Sequence, residues 1–546
     1  MKNYCSQWIR RTGFWICLGG TAFAESVSAS PGDYGIEIDE ISNFSMNLSG
    51  YLRTTVGVSL EDHDETRSDD KGEISMARGS LYLDLDVYTG PLVWKAVGRL
   101  DKEMQTDYLD DLEALTRLQS PGGNTSTQDY MDQYDTDDLE DFLREFYVDF
   151  TLFDRLDVRL GKQQLVWGES DFFQALDLVH GFDYRWRLFF ENNEEWRKPL
   201  ILANFNLDVP ALNGNLNFYV RPGWDRDEDM GSNYNIEGGR WIPHPYRGVD
   251  FTAFTNAYQT GHKSGDWDDE TYGIRWNGIA GSIGYSLAYL KTFNPQPMMN
   301  PTSSTAISGL FGVTASAPWG EEPDNQVLGD WIYPEIDVFG FTINGYSASM
   351  DSTLSAEIAY IPNKPFNYGQ LQSSLPGWGG IKEKDTVVTM LRLDKELKLM
   401  NLLGTNRPSL SSIQLFDTWI TGYDEDDEIV EFASFGARKK EHTTYLTLFT
   451  LLNFKRDTIN PSFVVGADLS NGGGFAIPAV EFVIGDKWRF KVEADLWWND
   501  GDKKKPSATA ANGAHLNPLG VNENSASLFD WFADDNQLVF KLTRQF

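Results

Sequence analysis

The chain has 546 residues, a formal net charge of −35, and a composition that is 41% hydrophobic and 14% aromatic. Such acidity argues against nucleic acid and bare anionic lipid surfaces as partners, because like charges repel. The apolar content excludes an acidic disordered chain, which lacks the surface needed to form a core. After residue 24 no run of about 18 apolar residues is found, so no ordinary transmembrane helix is expected.

The N-terminus has the layout of a secretory signal peptide. Basic residues are followed by a short apolar run and by small residues that end at Ala24. We predict that residues 1–24 are removed on export and that residues 25–43 form a short periplasmic leader. Both cysteines, Cys5 and Cys17, lie in the removed segment, so neither a disulfide nor a thiolate metal site is expected in the mature chain.

From residue 44 onward, apolar and polar residues alternate in short runs. The clearest run is 487–499, in which Trp488, Phe490 and Val492 alternate with charged residues. A period of two predicts a strand with one apolar face. The last run, 536–546, is predicted to close the sheet onto its first strand. Eighteen runs are found, near 44–60, 74–88, 92–104, 143–153, 155–168, 201–209, 214–224, 269–280, 281–293, 334–349, 352–361, 384–397, 411–423, 442–454, 460–470, 475–485, 487–499 and 535–546.

The connections between these runs alternate in length. Short ones such as Thr89-Gly90 and Asn213-Gly214 are followed by long ones such as 105–142 and 168–200. Short turns on one side and long loops on the other are typical of bacterial outer-membrane barrels. The sequence contains no repeat of constant period, which argues against a propeller or a solenoid. We therefore predict an all-β, transmembrane, antiparallel up-and-down barrel over residues 44–546, with about 18 strands, 16 as the alternative, and one loop folded inward.

If the apolar strand face meets lipid, the polar face lines the lumen. Charges of both signs on that face either create a transverse field that orders water and selects polar solutes, or form cross-strand ion pairs that fill the barrel. Both interpretations are left open. The predicted lumen residues are Arg53, Arg78, Asp84, Asp86, Lys95, Arg99, Asp101, Asp149, Asp157, Arg159, Arg221, Arg275, Arg392, Asp394, Arg489, Lys491, Glu493 and Asp495.

Loop 168–200 is the most informative connection. Ser170 is placed to cap a short helix whose apolar stripe ends before Gly181, and a dense group of charges follows. An amphipathic, highly charged loop favours folding inward as a constriction or plug over a solvated external loop. The predicted constriction residues are Trp167, Glu169, Asp171, Asp183, Arg185, Arg187, Glu191 and Arg197.

Two motifs carry a resemblance to a known family. The run W-G-E-S-D-F-F at 167–173 and the run E-E-W-R-K-P at 194–199 resemble the signature of a proteobacterial outer-membrane barrel family catalogued as a domain of unknown function. The resemblance implies a porin-like barrel in envelope traffic, with hydrophobic or lipid-like cargo, a periplasmic carrier and an inner-membrane permease among its expected associates. It implies no catalytic residue.

Other chemistry finds little support in the sequence. The six histidines are scattered without the spacing of metal ligands, and no hydrolase, zinc-protease or phosphate-loop motif is found. We predict no cofactor, no metal site and no enzymatic activity. The acidic loops, such as 61–65 and 424–428, either bridge through divalent cations to lipopolysaccharide or are a solvated surface of like charge.

The sequence therefore predicts an outer-membrane channel or transporter of a Gram-negative bacterium that passes a small solute and is gated by loop 168–200. Three alternatives stay open: a conduit for hydrophobic or lipid-like compounds, a structural or adhesive barrel, and an enzyme whose residues meet only in space.

Overall fold

The structure is a computed structural model. It describes residues 44–63, 66, 68–118, 134–232, 239–241, 255–256, 269–302, 318–325, 329–369, 377, 379–431, 437–500, 529 and 532–546. The predicted signal peptide, 1–24, and leader, 25–43, lie outside these residues.

Eighteen strands form one sheet that closes on itself. Each strand pairs antiparallel with its neighbours in sequence, and the last pairs with the first from Tyr51 opposite Gln545 to Ser59 opposite Gln537. Closure leaves no free edge in this sheet. The prediction of an 18-stranded up-and-down barrel is confirmed, and the alternative of 16 strands is wrong. The strands are β1 Phe44–Ser59, β2 Ile74–Thr89, β3 Leu92–Glu103, β4 Leu143–Leu152, β5 Leu156–Gln163, β6 Leu200–Val209, β7 Gly214–Arg221, β8 Thr271–Ala280, β9 Ile283–Phe293, β10 Glu335–Ser347, β11 Ser352–Tyr368, β12 Gly380–Leu397, β13 Ser409–Ile420, β14 His442–Leu451, β15 Ile459–Asp468, β16 Gly474–Ile484, β17 Trp488–Trp498 and β18 Gln537–Gln545.

One connection is much shorter than the alternation indicated. The predicted strand runs 352–361 and 384–397 leave residues 362–383 as a long connection, but β11 and β12 continue to pair as far as Asn367 opposite Ile381. The register shifts between Ile361 and Lys364. An irregularity of this kind breaks the period of two, which is the signal that marks a strand in a sequence.

Few helices accompany the barrel. They are α1 Asp107–Leu118, α2 Leu139–Phe142, α3 Asn193–Trp196 and α4 Met400–Leu403, with 3-10 turns at Pro210–Leu212, Asp227–Asp229 and Glu425–Asp427. Short strands in the long loops are Thr255–Asn256, Met298–Pro301, Gly329–Ile332, Val430–Glu431 and Ala437–Arg438. Within the described part of the chain, no helix has the length and apolar character needed to cross a membrane.

The connections fall on two opposite sides of the barrel. Those after even-numbered strands are short, for example 90–91, 281–282 and 485–487, whereas those after odd-numbered strands include 104–142 and 164–199. Because the strands are antiparallel, each set shares one end. We call these ends the short-turn end and the long-loop end.

The outer face of the barrel is apolar. Ile413 and Leu448 stand opposite each other on β13 and β14, and they are 45% and 37% exposed. Phe463 on β15 is 44% exposed. A continuous surface of such side chains requires apolar surroundings, which a bilayer supplies. The barrel is therefore transmembrane.

Candidate functional site

The connection between β5 and β6, residues 164–199, folds into the barrel, and we call it the plug loop. Leu176 and Val179 are 0% and 2% exposed and belong to one apolar cluster with inward-facing residues of the wall. The prediction of an inward-folded loop is confirmed. The wall residues of this cluster on β9 to β13 are Ala288, Leu290, Phe293, Ile336, Val338, Ala359, Ile361, Val388, Met390 and Phe416.

The helix expected after Ser170 does not form, since residues 170–181 contain no helical turn. Backbone donors at the start of this segment bond to wall side chains instead. The Glu169 amide donates to the Glu357 carboxylate, and the Asp171 amide donates to Gln414 Oε1 at 3.4 Å. Tertiary partners of this kind override a weak helical preference.

A second cluster is aromatic. Phe189 of the plug loop lies 5.3 Å from Phe475 of β16, and Phe190 stacks on Trp497 of β17 at 4.9 Å. Phe173 joins the two clusters, because its ring lies 6.0 Å from Phe189 of this cluster and 5.3 Å from Phe416 of the first, and it stacks on Tyr445 of β14 at 4.5 Å. The plug loop is thus packed on β9 to β17 mainly by apolar and aromatic contacts.

The other side of the plug loop makes ionic contacts. Arg187 contacts Glu493 at 2.6 Å and Asp495 at 2.7 Å, both on β17, and also bonds Glu191 within the loop. Glu191 in turn contacts Lys541 of β18 at 2.8 Å. Arg187 and Asp495 have no solvent exposure.

The ionic contacts continue along β1 and β3. Glu195 lies 3.0 Å from Arg53 and 3.5 Å from Arg99. Arg99 contacts Asp101 at 2.7 Å, and Asp101 lies 3.7 Å from Arg78. We call this line of charges, from Asp495 through Glu191 and Glu195 to Arg78, the ionic seam.

The charge of Glu191 is fixed by its neighbours. Burial alone would raise the pKa of this carboxyl, but Lys541 and then Arg187 outweigh burial and lower its pKa to about 2. Arg187 is held charged in the same way: burial opposes the charge, and Asp495, Glu191 and Glu493 raise its pKa. Glu191 and Arg187 are therefore both ionised at neutral pH.

The predicted lumen residues lie on the inner face of the sheet. The pairing of the strands places them on the face opposite the apolar outer one. Their role in an open lumen stays a prediction. Arg53, Arg78, Arg99, Asp101, Lys491, Glu493 and Asp495 belong to the seam or contact it. The wall pairs outside it are Lys95 with Asp84 and Asp86, Arg159 with Asp149, and Arg392 with Asp394.

Four predicted lumen residues have other surroundings. Arg221 contacts Asp225 of the following loop at 3.1 Å, and Asp157 accepts from Thr151 at 2.7 Å. Arg275 donates to the Trp167 carbonyl at 2.7 Å. Arg489 donates to the carbonyl of its neighbour Trp488 at 3.2 Å and lines a cavity.

The predicted constriction residues do not meet in one ring. Arg187 and Glu191 lie in the seam, whereas the others are tied to separate parts of the wall or loop. These ties are Trp167 to Asn217 at 3.0 Å, Glu169 to Asn344 at 2.8 Å, Asp171 to Arg392 at 3.1 Å, Asp183 to Arg185 at 2.8 Å and Arg197 to Asp177 at 2.5 Å.

Two cavities flank the seam. The lower cavity, about 590 Å³, contains Arg53, Glu195 and Arg489 together with the short turns around Arg407 and Asp457, so it lies toward the short-turn end. The upper cavity, about 290 Å³, is lined by Arg78, Arg99, Arg144, Asp183 and Arg185 among others. Charges of both signs line each of them.

His180 is a structural residue of the plug loop. Its Nε2 accepts from the Leu165 amide at 2.9 Å, and its Nδ1 donates to the Lys198 carbonyl at 2.8 Å. Burial, assisted by Arg197, lowers the pKa of this imidazole to about 3. The neutral ring therefore connects the two ends of the plug loop through these two hydrogen bonds.

A buried polar trio was missed by sequence reasoning. Ser59 Oγ lies 2.6 Å from His63 Nε2, and His63 Nδ1 lies 2.8 Å from Asp535 Oδ1. These contacts follow the order of a hydrolase triad. However, Ser59, His63 and Asp535 are 1%, 2% and 0% exposed, and neither described cavity contains them. The trio ties the loop after β1 to the segment before β18.

The apolar inner wall was missed as well. Sequence reasoning assigned the inward face to charges, but β9 to β13 present apolar residues on both faces. The signal is visible in Leu287–Leu290 and in Val387-Val388, where alternation gives way to a continuous apolar run typical of strands buried on both sides. Within the described ranges, no group of three His, Cys, Asp or Glu side chains is arranged to hold a metal ion.

The fold and the site define a transmembrane β-barrel with an internal plug loop. The chain belongs to the DUF1302 family, described as protein of unknown function, which matches residues 14–546. No curated protein matches the chain.

Several solved structures to which the chain is similar are named as porins or channels. An anion-selective porin from Comamonas acidovorans is 11% identical, covering 92% of this chain and 100% of that one, with a TM-score of 0.35. The outer membrane channel DcaP of Acinetobacter baumannii is 8% identical, covering 93% and 99%, with a TM-score of 0.36. A BenF-like porin from Pseudomonas fluorescens Pf-5 is 8% identical, covering 93% and 98%, with a TM-score of 0.41. Similarity this low leaves solute and gating to be argued from this chain's own residues.

Proposed function

We propose that the protein is an outer-membrane channel that passes a small solute and is gated by the plug loop. The observation that carries this proposal is the two-sided attachment of that loop, apolar toward Phe416 and Phe475 and ionic toward Arg53 and Arg99. An apolar attachment keeps the loop inside the barrel, while an ionic one can exchange its partners with water. The loop then opens a path without leaving the barrel.

The two cavities support the same proposal. The barrel has space on both sides of the plug loop, with volumes of about 590 and 290 Å³. Cavities of this order suit a small molecule. A barrel built only as a scaffold has no need for two such charged spaces beside its loop.

The decisive experiment is single-channel recording from the purified chain and from a variant lacking residues 170–195. The deletion should increase conductance and weaken selectivity, because it removes most of the plug loop. Boiled and unboiled samples compared on a gel establish that the shortened barrel still closes. Unchanged conductance and selectivity in a closed barrel would reject the gate.

A second candidate is a conduit for hydrophobic or lipid-like compounds that works with a periplasmic carrier and an inner-membrane permease. Leu410 and Leu451 favour it, because they are 42% and 44% exposed and line the lower cavity at the short-turn end, which faces the periplasm in such barrels. Lipid extracted from the purified protein should decrease in a Leu410→Ser, Leu451→Ser variant. Equal lipid content in variant and wild type would reject this candidate.

Lipopolysaccharide is the proposed partner of the long-loop end, through divalent cations on the acidic loops. Removing divalent cations with a chelator should then release lipopolysaccharide that copurifies with the barrel. Retention of lipopolysaccharide after chelation would reject this partner.

A further inference from the structure

We propose that the solute passes along the ionic seam, between the plug loop and the wall formed by β1 to β4 and β16 to β18, and that the Glu195 carboxylate closes this route. The proposal rests on the proposed channel function and adds its path, its closing residue and its solute class.

The two cavities approach each other at Glu195. Its carboxylate lies 3.0 Å from Arg53, which lines the lower cavity, and 3.5 Å from Arg99, which lines the upper one. Glu195 itself lines the lower cavity. One side chain of the plug loop thus bridges one arginine of each space, so loss of that bridge joins the two cavities.

The partition at this point is held by arginines. It consists of the Glu195 side chain and the backbone of residues 195–197, at the end of the short helix α3, Asn193–Trp196. Arg99 donates to the Glu195 carbonyl at 3.2 Å, and Arg144 donates to the Arg197 carbonyl at 2.7 Å. These bonds to carbonyls at the end of the helix place positive charge where the backbone dipole is negative. Because the segment is attached to the wall by hydrogen bonds to arginines, water and ions can compete for these bonds.

The Arg53–Glu195 contact is also more hydrated than the Arg187–Asp495 contact. The side chains of Arg53 and Glu195 are 16% and 9% exposed, whereas Arg187 and Asp495 are fully buried. A contact that already touches water loses less when it breaks than a fully buried pair does. We infer that the Arg187 contacts keep the plug loop attached to the wall when the contact between Glu195 and Arg53 breaks.

The lining of the route defines the solute class. The lower cavity carries Arg489 and Lys491 beside Glu481, and the upper cavity carries Arg226 and Lys198 beside Asp229. A path with both signs of charge along its length favours a small, water-soluble organic ion or zwitterion. A large apolar molecule would displace water from these charges without forming hydrogen bonds in its place, which is unfavourable.

The test compares Glu195→Gln with Glu194→Gln in single-channel recordings. Both variants remove one negative charge from α3, but the Glu194 side chain is exposed, whereas Glu195 bridges two arginines. Glu195→Gln should raise conductance several-fold, and Glu194→Gln should leave it at the wild-type level. A gel shift on boiling establishes that both barrels are closed.

A cysteine experiment locates the path independently. The sequence has only Cys5 and Cys17, so a new cysteine in the barrel is unique there. In the Glu195→Gln background, Asn192→Cys lines the lower cavity, whereas Ala359→Cys lies on the apolar wall. A charged methanethiosulfonate reagent should reduce the current through Asn192→Cys and leave Ala359→Cys unchanged. The reverse pattern would overturn the route.

The outcomes separate the two proposals. If the deletion of 170–195 conducts strongly but Glu195→Gln behaves like Glu194→Gln, the channel stands and Glu195 is not its closing residue. If neither the deletion nor any substitution conducts in a closed barrel, the channel function itself is rejected. If Glu195→Gln conducts and passes amino acids or small organic acids more readily than apolar solutes of equal size, the route and the solute class are both supported.

Discussion

The guanidinium of Arg187 lies 2.7 Å from the carboxylate of Asp495, and neither side chain is exposed to solvent. Because 308 positions separate the two residues in sequence, the contact fixes the plug loop to the far end of the chain inside the barrel. A buried charge is tolerated only where partners surround it. Arg187 satisfies this condition through Glu191 and Glu493 as well, so the plug loop is anchored by a connected group of charges.

Replacing Arg187 with Met should free the plug loop from β17. The substitution leaves Asp495 buried with the cation it contacts removed, whereas Glu493 keeps Lys491 and Lys541. Breaking a buried pair in this way costs about 3–5 kcal/mol. Limited proteolysis in detergent, with fragments mapped by mass spectrometry, should show new cuts within 164–199. Arg185→Met is the matched control, because Arg185 is 25% exposed and pairs with its near neighbour Asp183 rather than with the barrel wall. Equal protease resistance in the two variants would contradict the anchor.

The apolar side of the plug loop allows a compensation experiment. A Cβ on Gly340 of β10 would lie 2.3 Å from Leu176 Cδ1, so Gly340→Ala should destabilise the docked loop. Leu176→Ala alone should also destabilise it, by about 2–5 kcal/mol, because it leaves a cavity. The double variant should be more protease-resistant than the sum of the single effects implies, since the new methyl group enters the space that is vacated. Gly345→Ala on the same strand is the control, because its nearest neighbour would lie 3.5 Å away. Strict additivity would contradict this packing.

The barrel itself was predictable because a strand leaves a local signal. Alternation such as Trp488, Phe490 and Val492 on β17 follows from burial of one face, and it places each strand without knowledge of its partners. Closure of β18 on β1 could also be inferred, since a paired terminal strand needs a neighbour on both sides. Where the register shifts, after Ile361, the local signal failed.

The site was less predictable because its partners are distant in sequence. No spacing rule connects Arg187 with Asp495, or Ser59 with Asp535. The helix expected after Ser170 failed for the same reason, because Glu357 and Gln414, which bond its first amides, lie far along the chain. Loop residues could be identified as unusual from composition, whereas their contacts required the fold.

The outer face gives a test of the membrane assignment. Leu448 lies in the middle of β14 and points outward, so Leu448→Lys should destabilise the barrel in bilayers by about 2–4 kcal/mol if that position is near the midplane. The measurement is the folded fraction in lipid vesicles, read from the gel shift on boiling. Leu402→Lys is the control, because Leu402 is 78% exposed in the connection after β12, outside the barrel strands. Equal folding of both variants would be evidence against a lipid-facing β14.

Acid should loosen the plug loop through His180. Its pKa in the fold is about 3, whereas an unperturbed imidazole has a value of about 6.5. Between these values the released loop binds a proton that the docked loop does not, so docking is weakened as pH falls from about 6.5 toward 3, by about 1.4 kcal/mol per unit. Protonation would also place a charge beside Arg197 and remove the acceptor for the Leu165 amide. Hydrogen exchange of residues 164–199 should therefore speed up more in the wild type than in His180→Gln, which keeps a donor and an acceptor but does not titrate. Comparing the two proteins at each pH cancels the intrinsic exchange rate, and parallel behaviour across the range would show that His180 does not control docking.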